Sequence, residues 1–223
     1  LATTPFQMNT HAIGDDANNA VLQAYKKALV FSDDPRWRIE HAQIIDTADI
    51  KLFNRKVIPS VQPTHATSDM YWAEERLGSD RLLGAYANKA LLEQSGRIAL
   101  GTDFPVEDIN PFKTFLASVA RKDAQNYPEN GFQRENALTR EQTLRGMTIW
   151  AAKSVFQEKE RGSLEVGKNA DFIILNQDLM NIDEKDILKT NVLETWVDGK
   201  NVYVIRAREN VADLFASETT LPN

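Results

Sequence analysis

Three histidines and one aspartate occupy equivalent places in this sequence. His11, His41 and His65 each follow a short apolar run of strand-like character, and Asp103 closes a fourth run, "RIALGTD" (97–103). Because the carboxyl ends of parallel strands meet on one face of a βα barrel, where active sites form, we expect these side chains to lie close together. Imidazoles with a carboxylate are suitable ligands for a divalent metal such as zinc, with one position open for water.

A metal on this face would support hydrolysis. It would lower the pKa of water towards neutrality and polarise a carbonyl group, and Asp103 would take the water's proton and pass it to a departing amine. Each residue also has a simpler interpretation: a histidine after a strand is often a hydrogen-bonded structural residue, and Asp103 can form an Asx turn before Pro105. The joint placement of all three histidines favours the metal site.

The segment after His11 has the spacing of an amphipathic helix. Asp15 or Asp16 is a candidate cap, and apolar residues recur every three or four positions from there. The predicted buried face consists of Ala17, Ala20, Val21, Ala24, Tyr25, Ala28 and Leu29.

The same alternation of strand and helix continues downstream. The segment 36–45 predicts a short strand through Ile39 that ends near His41, and the segment 56–65 predicts a β-rich run closed by Pro63. A later helix is expected to end at Gly96. Thr139 and Gln142 have the spacing of a capping box. The predicted apolar faces of the two later helices are Leu82, Leu83, Tyr86, Ala87, Ala90 and Leu91, then Leu144, Met147, Ala151 and Val155. Strands alternating with helices are typical of parallel βα units, so we predict an α/β fold.

The last quarter of the sequence has a different character. Residues 170–175 form a compact β-prone run, and two further runs flank Asp198 and Gly199, a strong hairpin signal. We therefore predict a boundary near residue 160. The expected units are a βα domain (1–160), a small β portion (161–207) and a polar tail (208–223).

Composition excludes several classes of protein. The net charge is −6 and the basic residues are scattered, whereas nucleic-acid binding needs clustered Lys and Arg. The absence of cysteine excludes disulfides and thiolate chemistry but leaves the compartment open. No apolar stretch approaches the roughly 18 residues that span a bilayer. We expect a soluble globular chain with neither a nucleic-acid nor a membrane partner.

Several segments, in this order, resemble the amidohydrolase superfamily. Within it they are similar to the branch called amidohydrolase family 3, which includes N-substituted formamide deformylase and relatives of an exoenzyme regulatory protein. The similarity extends from about residue 7 to residue 205. The segments are "NTHAIGD", "RIEHAQ", "SVQPTH", "SDMYWAEERLG", "AYANKALLEQSG", "ALGTDFPVE" and "LTREQTLRGMTIWAAKSVFQEKERGSLEVGKNADFIIL".

The resemblance implies both a fold and a metal centre. The fold would be the C-terminal half of a (β/α)8 TIM-type barrel followed by strands of a small accessory β-sandwich. His11 matches the metal-binding histidine that closes the fifth barrel strand, and His41 matches the metal- or substrate-binding histidine of the sixth. Asp103 matches the aspartate after the eighth strand, which is the general base and often a metal ligand. The implied cofactor is a divalent metal, zinc above others, as one or two ions in the intact enzyme.

Three further residues are expected to bind the substrate. His65 follows the seventh strand and is expected to act in catalysis by polarising the scissile carbonyl or stabilising an oxyanion, although a hydrogen-bonded loop histidine is the alternative. Tyr71 and Trp72 are expected to line the substrate pocket, with a packed lid loop as the alternative. Glu107 is interpreted as a solvated or capping residue. The polar segment 120–137 is expected to be a surface loop at the mouth of the site.

The implied function is hydrolysis of a C–N bond in a small amide or N-acyl substrate. The superfamily's H-x-H pair and carboxylated lysine are not found, so we expect the N-terminal half of the same protein to complete the site and the 223-residue chain alone to be inactive. An exposed half-barrel edge would drive association, including homo-oligomers. The alternatives are a deaminase, an ester or lactone hydrolase, or a non-catalytic binding or regulatory domain.

Overall fold

The computed structural model describes residues 1–205, and its first sheet is parallel. The four strands lie side by side in chain order: β1 (Asn9–Ala12), β2 (Trp37–His41), β3 (Val57–Val61) and β4 (Ala99–Leu100). Ala12 lies opposite His41 in the register, so the carboxyl ends of β1 and β2 are level. The predicted α/β arrangement is confirmed.

In the described part of the chain, α-helices follow β1, β3 and β4, whereas only a short 3₁₀ helix separates β2 from β3. The α-helices are α1 (Asp15–Ala28), α2 (Pro63–Asp69), α3 (Ala73–Leu82), α4 (Asn88–Ser95), α5 (Pro111–Ala120), α6 (Arg140–Met147) and α7 (Ile149–Ser154). Short 3₁₀ helices lie at Ile50–Leu52, Arg134–Asn136 and Glu184–Lys189. Among residues 1–205, no helix is both long enough and apolar enough to cross a membrane.

The buried face of α1 differs from the predicted one. The side chains that face the core are Asn18, Leu22, Tyr25 and, just past the helix, Leu29, whereas Ala17, Ala20, Ala24 and Ala28 are exposed. The larger side chains remove more apolar surface from water than alanines do. The Asn18 amide nitrogen also lies within 3.2 Å of four backbone carbonyls. The predicted cap is also wrong, because Gly14 is the N-cap residue and Asp15 and Asp16 lie in the first turn of the helix.

The helix expected through residues 82–95 is broken. α3 ends at Leu82, Tyr86 has a left-handed backbone (φ 53°), and α4 begins only at Asn88. Between the helices, Ala85 forms an isolated antiparallel β-bridge with Ile44. Next to it, the Gly84 carbonyl accepts a hydrogen bond from the Ile45 N–H at 3.0 Å. A Cβ at Gly84 would lie 1.7 Å from the Ile45 oxygen. The expected stop at Gly96 is confirmed, with φ at 76°.

The capping box at the start of α6 is confirmed. The Thr139 hydroxyl accepts from the Gln142 N–H, and the Gln142 side chain accepts from the Thr139 N–H. The helix does not continue to Val155, because Thr148 leaves the helical region (φ −126°, ψ −94°) and separates α6 from α7.

A second sheet is antiparallel and contains the predicted hairpin. Its strands are β5 (Phe172–Leu175), β6 (Val192–Val197) and β7 (Lys200–Val204), in that order. Asp198 and Gly199 both have positive φ, 51° and 71°, as the two central residues of a type I′ turn require.

Packing continues from the parallel part into this second part. Helix α5 is almost entirely buried, and its residues Phe112, Phe115, Leu116, Val119 and Ala120 form a cluster with the fully buried Ile187. Leu175 of β5 and Val192 of β6 pack against this cluster. The boundary near residue 160 stays a prediction, and the predicted tail (208–223) lies outside the described residues.

A buried cation lies at the amino end of β2, away from the histidines. The Arg36 guanidinium contacts Asp34 at 2.7 Å and Glu158 at 2.9 Å, donates to the Lys153 carbonyl, and lies 4.2 Å from the centre of the Phe156 ring. Burial acts to raise the pKa of Glu158, but the hydrogen bond from Arg36, a backbone hydrogen bond and the charges of Arg36 and Lys153 together outweigh it and hold that pKa below its usual value of 4.5. This contact ties the start of β2 to the residues after α7.

We expect Glu158→Gln to lower the free energy of unfolding by about 1–2 kcal/mol at pH 7, because it leaves a buried guanidinium short of a countercharge. Since the folded-state pKa of Glu158 is lowered, the stabilisation exists above about pH 4.5 and is lost as the pH falls through the folded-state value. Urea unfolding at pH 7 and at pH 3 measures the difference, which should shrink at pH 3. Glu141→Gln, which removes an exposed pair with Arg145, is the control and should change stability by less than about 0.5 kcal/mol.

Candidate metal centre and active site

The strand ends bring the expected residues together. His11 is the third residue of β1, His41 ends β2, His65 is the third residue of α2 directly after β3, and Asp103 lies three residues beyond β4. Pro63 favours this arrangement, because its fixed φ and missing N–H suit the first helical position. The helix therefore begins immediately after β3 and holds His65 in its first turn.

Three of the four residues form a compact group, and His11 lies beside it. His41, His65 and Asp103 each offer a ligand atom, and these atoms lie within 4.8 Å of one another. The His11 ring lies against His41 with the ring centres 4.4 Å apart, and the His41 and His65 rings are 5.6 Å apart. His65 is 8% exposed, whereas His11 is exposed. The structure thus places all three imidazoles and the carboxylate at one edge of the sheet.

The backbone at this edge is strained. His41, Ala42 and Asp103 have φ values of 74°, 44° and 62°, a left-handed region that residues with a Cβ rarely adopt. Each such residue costs on the order of 1–3 kcal/mol and persists only where the surroundings enforce it. Strain of this kind concentrates at functional sites, so its coincidence with two of the expected ligands strengthens the assignment of this edge as the site.

The His65 imidazole is held between two carboxylates. Its Nε2 lies 3.2 Å from Asp103 Oδ2 and its Nδ1 lies 3.0 Å from Glu107 Oε1. A carboxylate accepts hydrogen bonds and an imidazole N–H donates them, so these two contacts fix the orientation of the His65 ring.

Glu107 is a site residue that the sequence interpretation missed. It neither lies free in solvent nor caps a turn, because its Oε1 accepts from Ser68 Oγ at 2.6 Å as well as contacting His65. Ser68 lies on α2, so one carboxylate oxygen contacts two residues of that helix. The available signal was its position four residues after Asp103, within the segment that follows β4.

His41 has the properties of an available ligand. Burial, followed by the nearby His11, lowers the pKa of His41 and keeps its imidazole neutral at pH 7. Its Nδ1 is buried and has no hydrogen-bond partner among residues 1–205. A neutral imidazole with a free ring nitrogen, next to a second imidazole and a carboxylate, is a donor set that suits zinc and similar divalent ions. The residues present therefore fit a divalent metal.

The two aromatic residues expected in the substrate pocket differ in their surroundings. Tyr71 lines a cleft of about 250 Å³ that reaches Glu107 and Ser68. Its hydroxyl donates to Asp123, and its ring stacks on Tyr127 at 5.9 Å, so the loop within 120–137 does border this cleft. Trp72 is 46% exposed, lies at the start of α3, and does not line this cleft.

Parallel βα units with imidazoles and an aspartate at the strand ends define the class of protein. Residues 2–203 match the model of the Amidohydrolase family, so the chain belongs to this family. The resemblance noted from the sequence motifs is confirmed.

Individual relatives agree with this assignment. The chain is 34% identical over 201 residues to the protein LONG AFTER FAR-RED 3 of Arabidopsis thaliana, covering 88% of this chain and 34% of that protein. It is 28% identical over 195 residues to N-substituted formamide deformylase of Arthrobacter pascens, covering 85% and 35%. The crystal structure of an uncharacterized metal-dependent hydrolase from Pyrococcus furiosus superposes with a TM-score of 0.67 at 29% identity, covering 79% and 34%. The chain spans about a third of the length of each of these relatives.

Glu107 is expected to determine which nitrogen of the His65 ring carries hydrogen. Replacing it with alanine removes the acceptor at Nδ1, so the population with hydrogen on Nδ1 should fall. The ring ¹⁵N chemical shifts of His65 measure this directly. Ser68→Ala, which removes a group bonded to the same carboxylate but not to the ring, is the control and should leave the His65 shifts in place. Unchanged shifts in Glu107→Ala would show that Glu107 does not orient the ring.

Proposed function

We propose that the full-length protein is a metal-dependent hydrolase that cleaves the C–N bond of a small amide or N-acyl substrate. The observation that carries this proposal is the group formed by His41, His65 and Asp103 at the strand ends of an amidohydrolase-family chain. The similarity to a formamide deformylase supports the choice of C–N bond. Deamination and ester or lactone hydrolysis use the same kind of site. Substrate profiling distinguishes these reactions from amide hydrolysis.

His11, His41 and Asp103 are the proposed ligands of the metal, with zinc as the preferred ion. His11 supports this assignment because its ring lies against His41, and His41 keeps an unpartnered ring nitrogen in the described part of the chain. When bound, the ion supplies a Lewis acid that polarises a carbonyl and makes water more acidic. His65 belongs to the same 4.8 Å group but already contacts two carboxylates, so we assign it to the substrate instead.

The chain's own residues then carry the proton and position the substrate. Asp103 accepts a proton from the attacking water and delivers it to the departing amine. His65 is proposed to exchange its 3.2 Å contact with Asp103 for a hydrogen bond from Nε2 to the carbonyl oxygen, whose developing negative charge it stabilises. Glu107 holds the His65 ring in place. Tyr71 and Trp72 are proposed to contact the remainder of the substrate.

The larger architecture is part of the proposal. The four strands, parallel and in chain order, support the C-terminal half of a TIM-type barrel, and β5–β7 support an accessory β-sandwich. Since the chain spans about a third of its relatives, we propose that other strands of the full-length protein supply further ligands. The 223-residue chain alone would then have little activity.

Metal content tests the cofactor. Purified full-length protein should contain about one or two zinc ions per chain by mass spectrometry, because the donor set suits zinc. Removing the metal with a chelator should abolish hydrolysis of N-formyl and N-acyl amines, and adding zinc should restore it. An active enzyme that contains no metal would contradict the ligand assignments.

Asp103→Asn tests the proposed base. An amide cannot accept the proton from water, so kcat should fall by about 10²–10⁴-fold on the best amide substrate. Asp108→Asn is the control, because Asp108 is exposed and pairs with Lys113; its kcat should stay within about 2-fold of the parent enzyme. Equal kcat values for Asp103→Asn and the parent enzyme would exclude Asp103 as the base.

A further inference from the structure

A third carboxylate lies behind the candidate metal site and touches none of the proposed ligands directly. Asp69 is the last residue of α2, one helical turn after His65. Its Oδ2 accepts from the Tyr86 hydroxyl at 2.8 Å and from the Gln43 side-chain amide at 2.9 Å. Asp69 therefore connects the helix that carries His65 with the segment that follows His41.

Gln43 is fixed through both its side chain and its main chain. Its amide nitrogen donates to Asp69, and its carbonyl accepts from the Tyr86 N–H at 2.7 Å. Gln43 directly follows the left-handed pair His41 and Ala42. A strained pair keeps its conformation only where its surroundings determine it, and the contacts of Gln43 are part of what determines it here.

Tyr86 is in turn fixed from the opposite side. The fully buried Arg121 guanidinium donates to the Tyr86 carbonyl at 3.3 Å, to the Phe132 carbonyl at 2.9 Å and to Gln133 at 3.0 Å. Burial lowers the pKa of Arg121 to about 10, so the side chain is still charged at pH 7. A continuous set of hydrogen bonds thus leads from Arg121 through Tyr86 and Asp69 to Gln43.

The environment of Asp69 is costly for a carboxylate. Burial raises the pKa of Asp69, although the hydrogen bond from Tyr86 acts in the opposite direction. Both of its side-chain partners, Tyr86 and Gln43, are neutral, so no ion pair from residues 1–205 offsets the burial at this position. Asp69 is half-buried, and a carboxylate partly removed from water with only neutral donors is costly to keep charged, which favours a role in the site.

We propose that Asp69, with Tyr86 and Gln43, is a positioning residue that fixes the His41 ring relative to Asp103 for metal binding. The proposal rests on the proposed function, since it assumes that His41 is a ligand. Asp69 acts through the backbone of residues 41–43 and contacts neither metal nor substrate. Removing either hydrogen bond lets the left-handed pair relax and moves the His41 ring away from Asp103.

The experiment compares three variants of the full-length protein: Tyr86→Phe, Asp69→Asn and Tyr25→Phe. Tyr25 is the matched control, because it is a buried tyrosine whose hydroxyl contacts Thr10 and the Arg38 carbonyl rather than Asp69 or Gln43. Zinc affinity is measured by competition with a chromophoric chelator, and the thermal midpoint is measured on the metal-free protein. Tyr86→Phe and Asp69→Asn should bind zinc about 10-fold more weakly than the parent protein, as loss of supporting hydrogen bonds does elsewhere. Tyr25→Phe should bind zinc like the parent while its metal-free midpoint falls as much as that of Tyr86→Phe.

The outcomes separate this proposal from the proposed function. If the parent protein binds no zinc, both are wrong. If the parent binds zinc and both Tyr86→Phe and Asp69→Asn bind it equally tightly, the positioning role is overturned and the metal site stands. A loss of affinity that is the same in Tyr86→Phe and Tyr25→Phe also overturns the positioning role, because it reports general destabilisation.

Discussion

Parallel pairing of the first three strands is the constraint on which the candidate site depends. Because Ala12 lies opposite His41, the ends of β1 and β2 are level and the rings of His11 and His41 come within 4.4 Å of each other. A shift of one residue in this register would turn the His41 side chain to the other face of the sheet. β3 leads directly into α2, which carries His65 to the same edge. Asp103 depends instead on a loop, and its contact with His65 shows that the loop returns to the strand ends.

The two ends of the parallel sheet differ in their physical character. At the amino end, the charge of Arg36 is satisfied by carboxylates, a carbonyl and an aromatic ring, and these contacts stabilise the fold. At the carboxyl end, His41 and Asp103 have left-handed backbones and a buried ring nitrogen lacks a partner among residues 1–205. Left-handed residues also occur elsewhere, including Arg36 itself, but at the carboxyl end two of them coincide with expected ligands. This is the end of the sheet where an amidohydrolase-family chain would bind its metal.

Features that depend on neighbours in the chain were predictable from the sequence. The capping box at Thr139 and the type I′ turn at Asp198 and Gly199 need only local side-chain and backbone chemistry. The strand-end positions of the histidines were predictable as well, because short apolar runs mark buried strands. Contacts between residues that are distant in sequence could not be predicted. The spacing of α1 fits more than one buried face, the break before Tyr86 follows from a bridge to residues 44–45, and Glu107 meets His65 across 42 residues of sequence.

In the proposed site, His41 and Asp103 hold a divalent metal at the strand ends. Anomalous diffraction from crystals of the full-length protein, recorded on both sides of the zinc absorption edge, locates the ion. We expect an anomalous peak about 2.0–2.2 Å from a ring nitrogen of His41 and from an Asp103 carboxylate oxygen, with His65 remaining in contact with Glu107. A zinc ion bound elsewhere, with no contact to His41 or Asp103, would show that these residues are not its ligands.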